Sequence, residues 1–227
     1  MKVFKKLLFP MAVIATFSGI ICAMEQPDTY LFQNYCERFT PAHLKKYQVS
    51  PELKAALDQR FQERNIIHNQ MINTYRKFTL NNQTYFAKLD TSRIIGVQLI
   101  NELAQEYGLK IKAPTKSIYE SLNGKEYVIV PEITCVQRPF SLAQIQDIYK
   151  AIQVSLYQDT HGGNLLNTQE GLVYFIDTQG TSFSRKTEWN SQSQALTLDI
   201  LKGTASMTDE AKVFLSKKIE ELTVLSC

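Results

Sequence analysis

Hydrophobic residues recur along this chain in three rhythms: one nearly unbroken run at the start, alternating runs in the middle, and helical spacing in most of the second half. The unbroken run, residues 7–23, follows Lys2, Lys5 and Lys6 and gives way to Glu25-Gln26-Pro27-Asp28. From Asp28 to about His68 the spacing is helical. Ser50-Pro51-Glu52 begins a helix there, with a hydroxyl cap, a proline in the first turn and an acid against the dipole, and Leu53, Leu57 and Phe61 line one face. Two alternating runs, 74–80 and 83–89, flank Asn81-Asn82, residues that tolerate positive φ, and predict a hairpin. Ser92 caps a helix that reaches Tyr107, where Gly108 stops it. A second hairpin is predicted by 115–121 and 125–131 around Asn123-Gly124. Ser141 then caps a helix through Leu156, in which Leu142, Ile145, Ile148, Tyr149, Ile152 and Leu156 recur at helical spacing. A short apolar hairpin follows between Asn164 and Asp177, then helices near 195–201 and from about Asp209 to Leu225, with Met207 and Phe214 expected in the core.

At 227 residues and 44% hydrophobic content the chain can bury a core of its own. The charged, apolar and small-residue succession of 1–23 reads as a secretory signal with Ala23 last before the cut, and implies an exported protein that starts near Met24. Left uncut, the same segment is an amino-terminal membrane anchor. Its length of about 17 apolar residues and its Pro10 and Ser18 suit a span poorly, since spans want about 20. Without its three lysines the chain carries 22 basic and 22 acidic residues, so a polyanion-binding surface is not indicated, and no basic run with interleaved aromatics points to nucleic acid. Cys36, Cys135 and Cys227 remain after such a cut, without the paired spacing of a zinc site or a disulfide framework. One bridge from Cys36 or Cys227 to Cys135, or free thiols throughout, are both compatible with export.

The candidate chemistry lies in Asp159-Thr160-His161-Gly162-Gly163-Asn164 and, after the apolar hairpin, Phe175-Ile176-Asp177. Asp159 is an acid able to accept a hydroxyl proton; Asn164 and Asp177 are two oxygen ligands of the kind magnesium takes alongside substrate phosphates. The pattern resembles the protein-kinase-like superfamily, and most closely its aminoglycoside phosphotransferase and small-molecule kinase branch, whose catalytic loop looks like Asp-x-His-x-x-Asn ahead of a hairpin ending in a metal-binding Asp.

The resemblance implies a two-lobed α+β fold. A small antiparallel sheet with a helix forms the first lobe (71–131), a mostly helical second lobe follows (132–227), and a helical extension (28–70) precedes both. It implies Mg²⁺ and ATP as cofactors, Asp159 as catalytic base, and Asn164 and Asp177 as metal ligands. Lys88, in the strand before the helix, becomes the phosphate-binding lysine, with Glu102 its first candidate partner and Glu106 the second. Pro131, Glu132 and Ile133 become the hinge whose backbone holds an adenine edge. The expected protein is a monomer that binds nucleotide and an unidentified hydroxyl acceptor or a protein partner.

Departures from the pattern are equally legible. No Gly-x-Gly-x-x-Gly run precedes the first hairpin, where 67–73 reads Ile-His-Asn-Gln-Met-Ile-Asn and offers no flexible cradle for phosphates. Tyr157 stands where protein kinases keep a supporting His, and Asp177-Thr178-Gln179-Gly180 replaces their Asp-Phe-Gly. Exported compartments outside a bacterial cytoplasm ordinarily hold little ATP. Two readings therefore stand: an exported phosphotransferase, and a catalytically inactive kinase-like module that engages a partner through its cleft and helical extension.

Overall fold

A four-stranded antiparallel sheet, sandwiched between two helical layers, carries the first half of the chain. The computed structural model describes residues 30–63 and 75–225. The expected signal (1–23), the lead-in to the first hairpin (67–73) and Cys227 lie outside the described residues. The architecture is α+β. Short helices α1 (Phe32–Cys36) and α2 (Pro41–Lys45) and the longer α3 (Pro51–Glu63) precede strands β1 (Tyr75–Leu80) and β2 (Gln83–Lys88). Helix α4 (Ser92–Tyr107) follows, then β3 (Ile111–Lys112), β4 (Ser117–Glu120), β5 (Glu126–Pro131) and α5 (Leu142–Ser155). Strands β6 (Leu165–Asn167) and β7 (Val173–Phe175) and helices α6 (Ser191–Thr204) and α7 (Asp209–Val224) complete the chain. Among the described residues no helix is long and apolar enough to cross a membrane.

The hairpin turns are set by residues that accept left-handed backbone. Asn81 and Asn82 take φ of 49° and 62° between β1 and β2, and Gly124 takes 74° between β4 and β5. The sheet order is β1-β2-β5-β4. Directly paired residues share a face, so Lys88 opposite Val128, and Val128 opposite Ile118, fall on one side. Ile118, Val128 and Val130 pack there with Ile94 of α4. On the other side Tyr127, Ile129, Ala87, Phe78 and Tyr119 meet Leu57 of α3. Period two therefore aims Lys88 at the α4 face and Ala87 at α3.

Two features lie beyond the periodicity. The two-residue strand β3 pairs parallel with β7, giving a second sheet of order β3-β7-β6. The helical extension is built into the rest: Tyr30, Phe32 and Tyr35 share the main core with α4 and α5, and Phe32 stacks on Phe183 at 4.8 Å. The backbone of 47–49 bonds to Ile118 at the β4 edge, which covers an otherwise open strand. Cys36 and Cys135 are both free thiols. Met207 is buried, and Phe214 packs partly buried against the core.

The start of α4 corrects one expectation. Thr91 occupies the cap position without a side-chain bond, and the Asp90 carboxylate accepts from the Ser92 amide at 2.9 Å. Ser92 lies inside the helix, where its hydroxyl accepts from the Gly180 amide at 2.8 Å. That contact belongs to a close approach between α4 and the segment after β7. Gly96 sits where any Cβ would overlap the Thr178 carbonyl oxygen, and the Thr178 hydroxyl donates to the Arg93 carbonyl at 3.0 Å. A helical Gly-to-Ala change gains about 1 kcal/mol of propensity, but overlap with a backbone carbonyl cannot be relieved by rotating a side chain. Gly96→Ala is therefore expected to destabilise the fold by about 1–3 kcal/mol. Gly203→Ala, in α6 with nothing near its missing Cβ, should be neutral or slightly stabilising; urea denaturation of the two variants side by side checks the pair.

Candidate functional site

The loop 159–164 leaves α5 through Leu156, a left-handed cap residue at φ 57°. Its backbone is held by α6. The Thr160 hydroxyl donates to the Thr197 carbonyl at 2.8 Å, and the Gly162 amide donates to the Thr204 hydroxyl at 2.8 Å. A Cβ at Gly162 would overlap the Thr204 carbonyl oxygen, so glycine is required there by the packing of loop on helix. The Gly163 amide donates to His161 Nδ1 at 3.1 Å, which leaves Nε2 facing Asp159 Oδ1 at 3.9 Å. His161 thus stiffens the loop and sits beside the first acid, Asp159.

Asn164 joins the loop to the hairpin. Its side-chain amide donates to the Asp159 carbonyl at 3.2 Å, while its own carbonyl accepts from the Ile176 amide at 3.0 Å. Asp159 and the residue before Asp177 are both tied to this one buried amide residue. The buried Tyr157 adds a second tie, donating its hydroxyl to the Asp177 carbonyl at 2.8 Å. Burial pushes this phenol well above its ordinary range, and the Asp159 and Asp177 charges push it further. It remains a neutral donor. The Ser182 hydroxyl donates to Asp159 Oδ2 at 3.2 Å and so orients that carboxylate.

Lys88 faces this pair of acids. Its ammonium lies 3.8 Å from Asp177 Oδ2 and feels the Asp159 charge as well. Burial lowers its proton affinity and Asp177 partly restores it. A hydrogen-bonded ammonium–carboxylate pair sits near 2.8 Å, so this is an ion pair without a direct hydrogen bond. Lys88, Asp159, Asn164 and Asp177 are therefore brought together.

The remaining expected site residues have other partners. Glu102, expected beside Lys88, instead accepts a hydrogen bond from Tyr35 and raises the pKa of that buried phenol. Glu106 accepts from the Tyr30 hydroxyl. Both helix acids are taken by the amino-terminal segment packed along α4, a consequence of burying Tyr30 and Tyr35. In the expected hinge, Pro131 ends β5, Ile133 is half-buried, and the Glu132 amide donates to the Thr84 carbonyl at 2.8 Å. The Glu132 carboxylate pairs with Lys77 at 2.7 Å, so its amide and its carboxylate both serve the sheet.

Two basic side chains invisible to motif reading dominate the cluster. Arg93, 5% exposed, donates to the Asp177 carboxylate, to the Gln179 side chain and to the Leu89 carbonyl. One signal for it exists in the sequence: a cation in the first turn of a helix opposes the dipole, so a buried arginine there requires its own acid. Lys116, 2% exposed, donates to the Thr178 hydroxyl at 2.7 Å and the Ile176 carbonyl at 3.3 Å, bracketing Asp177 on both sides. Burial drives the Lys116 amine well below the usual lysine range, with Arg93 and Lys88 pushing the same way against Asp177 and Asp90.

Asn164 and Asp177 supply oxygen donors, the right kind for magnesium. The charge around them is wrong for it. Asp177 already carries the Arg93 guanidinium and has Lys88 at 3.8 Å, and unit charges about 4 Å apart interact by about 4 kcal/mol at an effective dielectric of 20, twice that for a divalent ion. The Asn164 side-chain nitrogen is held by the Asp159 carbonyl, which leaves its oxygen as the atom that could ligate. As these residues are arranged, the two cations on Asp177 oppose a divalent ion there.

The Lys116 shift fixes the sign of a pH effect. Its folded pKa lies below the unfolded value of about 10.4, so between the two the unfolded chain binds more protons and stability rises with pH, by up to about 1.4 kcal/mol per unit, levelling above about 10.4. Urea denaturation at stepped pH from neutral to 10 should show wild-type stability rising relative to Lys116→Met. The difference removes contributions common to both, including the buried tyrosines, and a gap that stays constant with pH would contradict the lowered pKa of Lys116. No protein-family model matches this chain and no curated protein matches it in sequence, so the chemistry of the site rests on its own geometry.

Proposed function

We propose that this chain is a kinase-like phosphotransferase that moves a phosphoryl group from ATP to a hydroxyl acceptor. The observation that carries the reading is the position of Lys88, at the end of a strand just before a helix, 3.8 Å from Asp177 and within the field of Asp159. Lys88 meets the negative charge of the nucleotide phosphates. Asp159, held by Ser182 through one oxygen, keeps the other for the acceptor hydroxyl. As the acceptor oxygen bonds to the γ-phosphorus, its proton passes to Asp159 and the bond to the β,γ-bridging oxygen breaks, releasing ADP. Partial exposure of Asp159 and His161 leaves room for an acceptor to approach. Export through the amino-terminal segment belongs to this proposal, with the acceptor in the compartment the protein reaches.

A second reading is a kinase-like module that binds without transferring. The Arg93 partner of Asp177 favours it, since it occupies the acid the resemblance assigns to the metal. Binding in that case falls to the Lys88 cluster more than to the helical extension, whose Tyr30, Phe32 and Tyr35 are committed to the core.

ADP release and ATP affinity measured on the same purified chain separate the two. Asp159→Asn removes the proton acceptor and leaves the phosphate-binding cation, so turnover is expected to fall about 10²–10⁴-fold with ATP affinity unchanged. Nucleotide binding by the wild type with no transfer to any acceptor or to water would leave the second reading standing.

A further inference from the structure

A kinase-like nucleotide site is expected to need a divalent ion because its phosphate-facing acid repels phosphate. In this chain the acid has been given a counter-cation by the fold. The Arg93 guanidinium is fixed from three directions, by the Leu89 carbonyl at 3.0 Å, the Asp177 carboxylate and the Gln179 side chain. The Thr178 hydroxyl donates to the Arg93 backbone carbonyl, and Gly96 lets α4 close on that segment. The pairing is thus a built part of the core, with the arginine 5% exposed. Beside it, Lys88 stands 3.8 Å from Asp177, and among the described residues no hydrogen bond to its ammonium is formed. The charges of Arg93 and Asp177 cancel, and the Lys88 ammonium, without a direct hydrogen bond to that acid, is left within the field of Asp159.

We propose that Arg93 replaces the metal as the counter-cation of Asp177, so that this cluster binds the polyphosphate end of a nucleotide through Lys88 without a divalent ion. The ligand identity, a nucleotide, rests on the kinase-like reading; the metal independence rests on the Arg93 pair alone. A phosphate oxygen arriving at Lys88 supplies the hydrogen-bond acceptor the lysine lacks, and Asp177, already paired with Arg93, contributes less repulsion than a bare carboxylate. Magnesium brought to Asp177 would instead meet two cations at close range.

Isothermal titration of the full chain with ATP and with inorganic tripolyphosphate, each in magnesium and in EDTA, tests this. Affinity is expected to change by less than about threefold on removing the metal, and a loss above about tenfold in EDTA would overturn the proposal while leaving the nucleotide reading intact. Tripolyphosphate binding in EDTA without ATP binding would support the anion site and overturn the nucleotide reading. Absence of binding by either probe in either buffer overturns both. Lys88→Met, at a partly exposed strand end, should lose about ten- to hundredfold in EDTA with its melting temperature kept. Asp177→Asn should hold or gain affinity in magnesium, where loss of a metal ligand would weaken binding. If that variant does not fold, the wild-type comparison of buffers and Lys88→Met still decide.

Discussion

A guanidinium removed from water cannot shed its proton and must be met by an acid. The meeting of Arg93 with Asp177 is one of the places where the two halves of this chain are joined. It brings the first turn of α4, the end of β2 through the Leu89 carbonyl, and the segment 176–180 to one point. Buried pairs of this kind contribute little net stability, yet losing one partner costs about 3–5 kcal/mol because the other is stranded. Their effect is on specificity: α4 can approach 176–180 in one register, the one in which Gly96 lies under Thr178 and Ser92 under Gly180. Lys116 completes the arrangement from the β4 side by filling the acceptors on either side of Asp177.

The loop bearing Asp159 depends on a different support. It is bonded to α6 by the Thr160 hydroxyl at Thr197 and the Gly162 amide at Thr204, and to the hairpin through Asn164 and Ile176. With the backbone satisfied by these partners, the side chains of Asp159 and His161 remain partly exposed. A rigid loop with open side chains is what a proton acceptor for an incoming hydroxyl needs, and this supports the phosphotransferase reading. The crowd of cations at Asp177 pulls toward binding without a metal. Both observations belong to one cluster, in which Lys88 pairs with Asp177 and feels the Asp159 charge.

The amino-terminal segment shows how packing reassigns polar groups. Glu102 and Glu106 lie on α4 at positions from which, by spacing alone, either could turn to Lys88. Burial of Tyr30 and Tyr35 along that helix decides otherwise, because a buried phenol needs an acceptor and the two carboxylates are within reach. The partner of Lys88 then comes from 89 residues further on, in Asp177.

Local chemistry determined most of the elements. Asn81-Asn82 and Asn123-Gly124 fix their turns because positive φ is inexpensive for those residues. Ser141 with Gln144 caps α5, Gly108 ends α4, and the apolar stripe of α5 specifies its buried face. The motif residues Lys88, Asp159, Asn164 and Asp177 were also legible, since their types and order are carried by the sequence itself. The strand β3 was not, because two residues have no periodicity and exist as a strand only by pairing with β7. Arg93 and Lys116 were not, because a cation in a helix or before a strand reads as a solvated side chain until the tertiary structure removes the solvent. Spacing along the chain sets which way a side chain leaves its element; what it meets there, and so whether an acid holds a metal, a lysine or an arginine, is decided only when distant elements close over it.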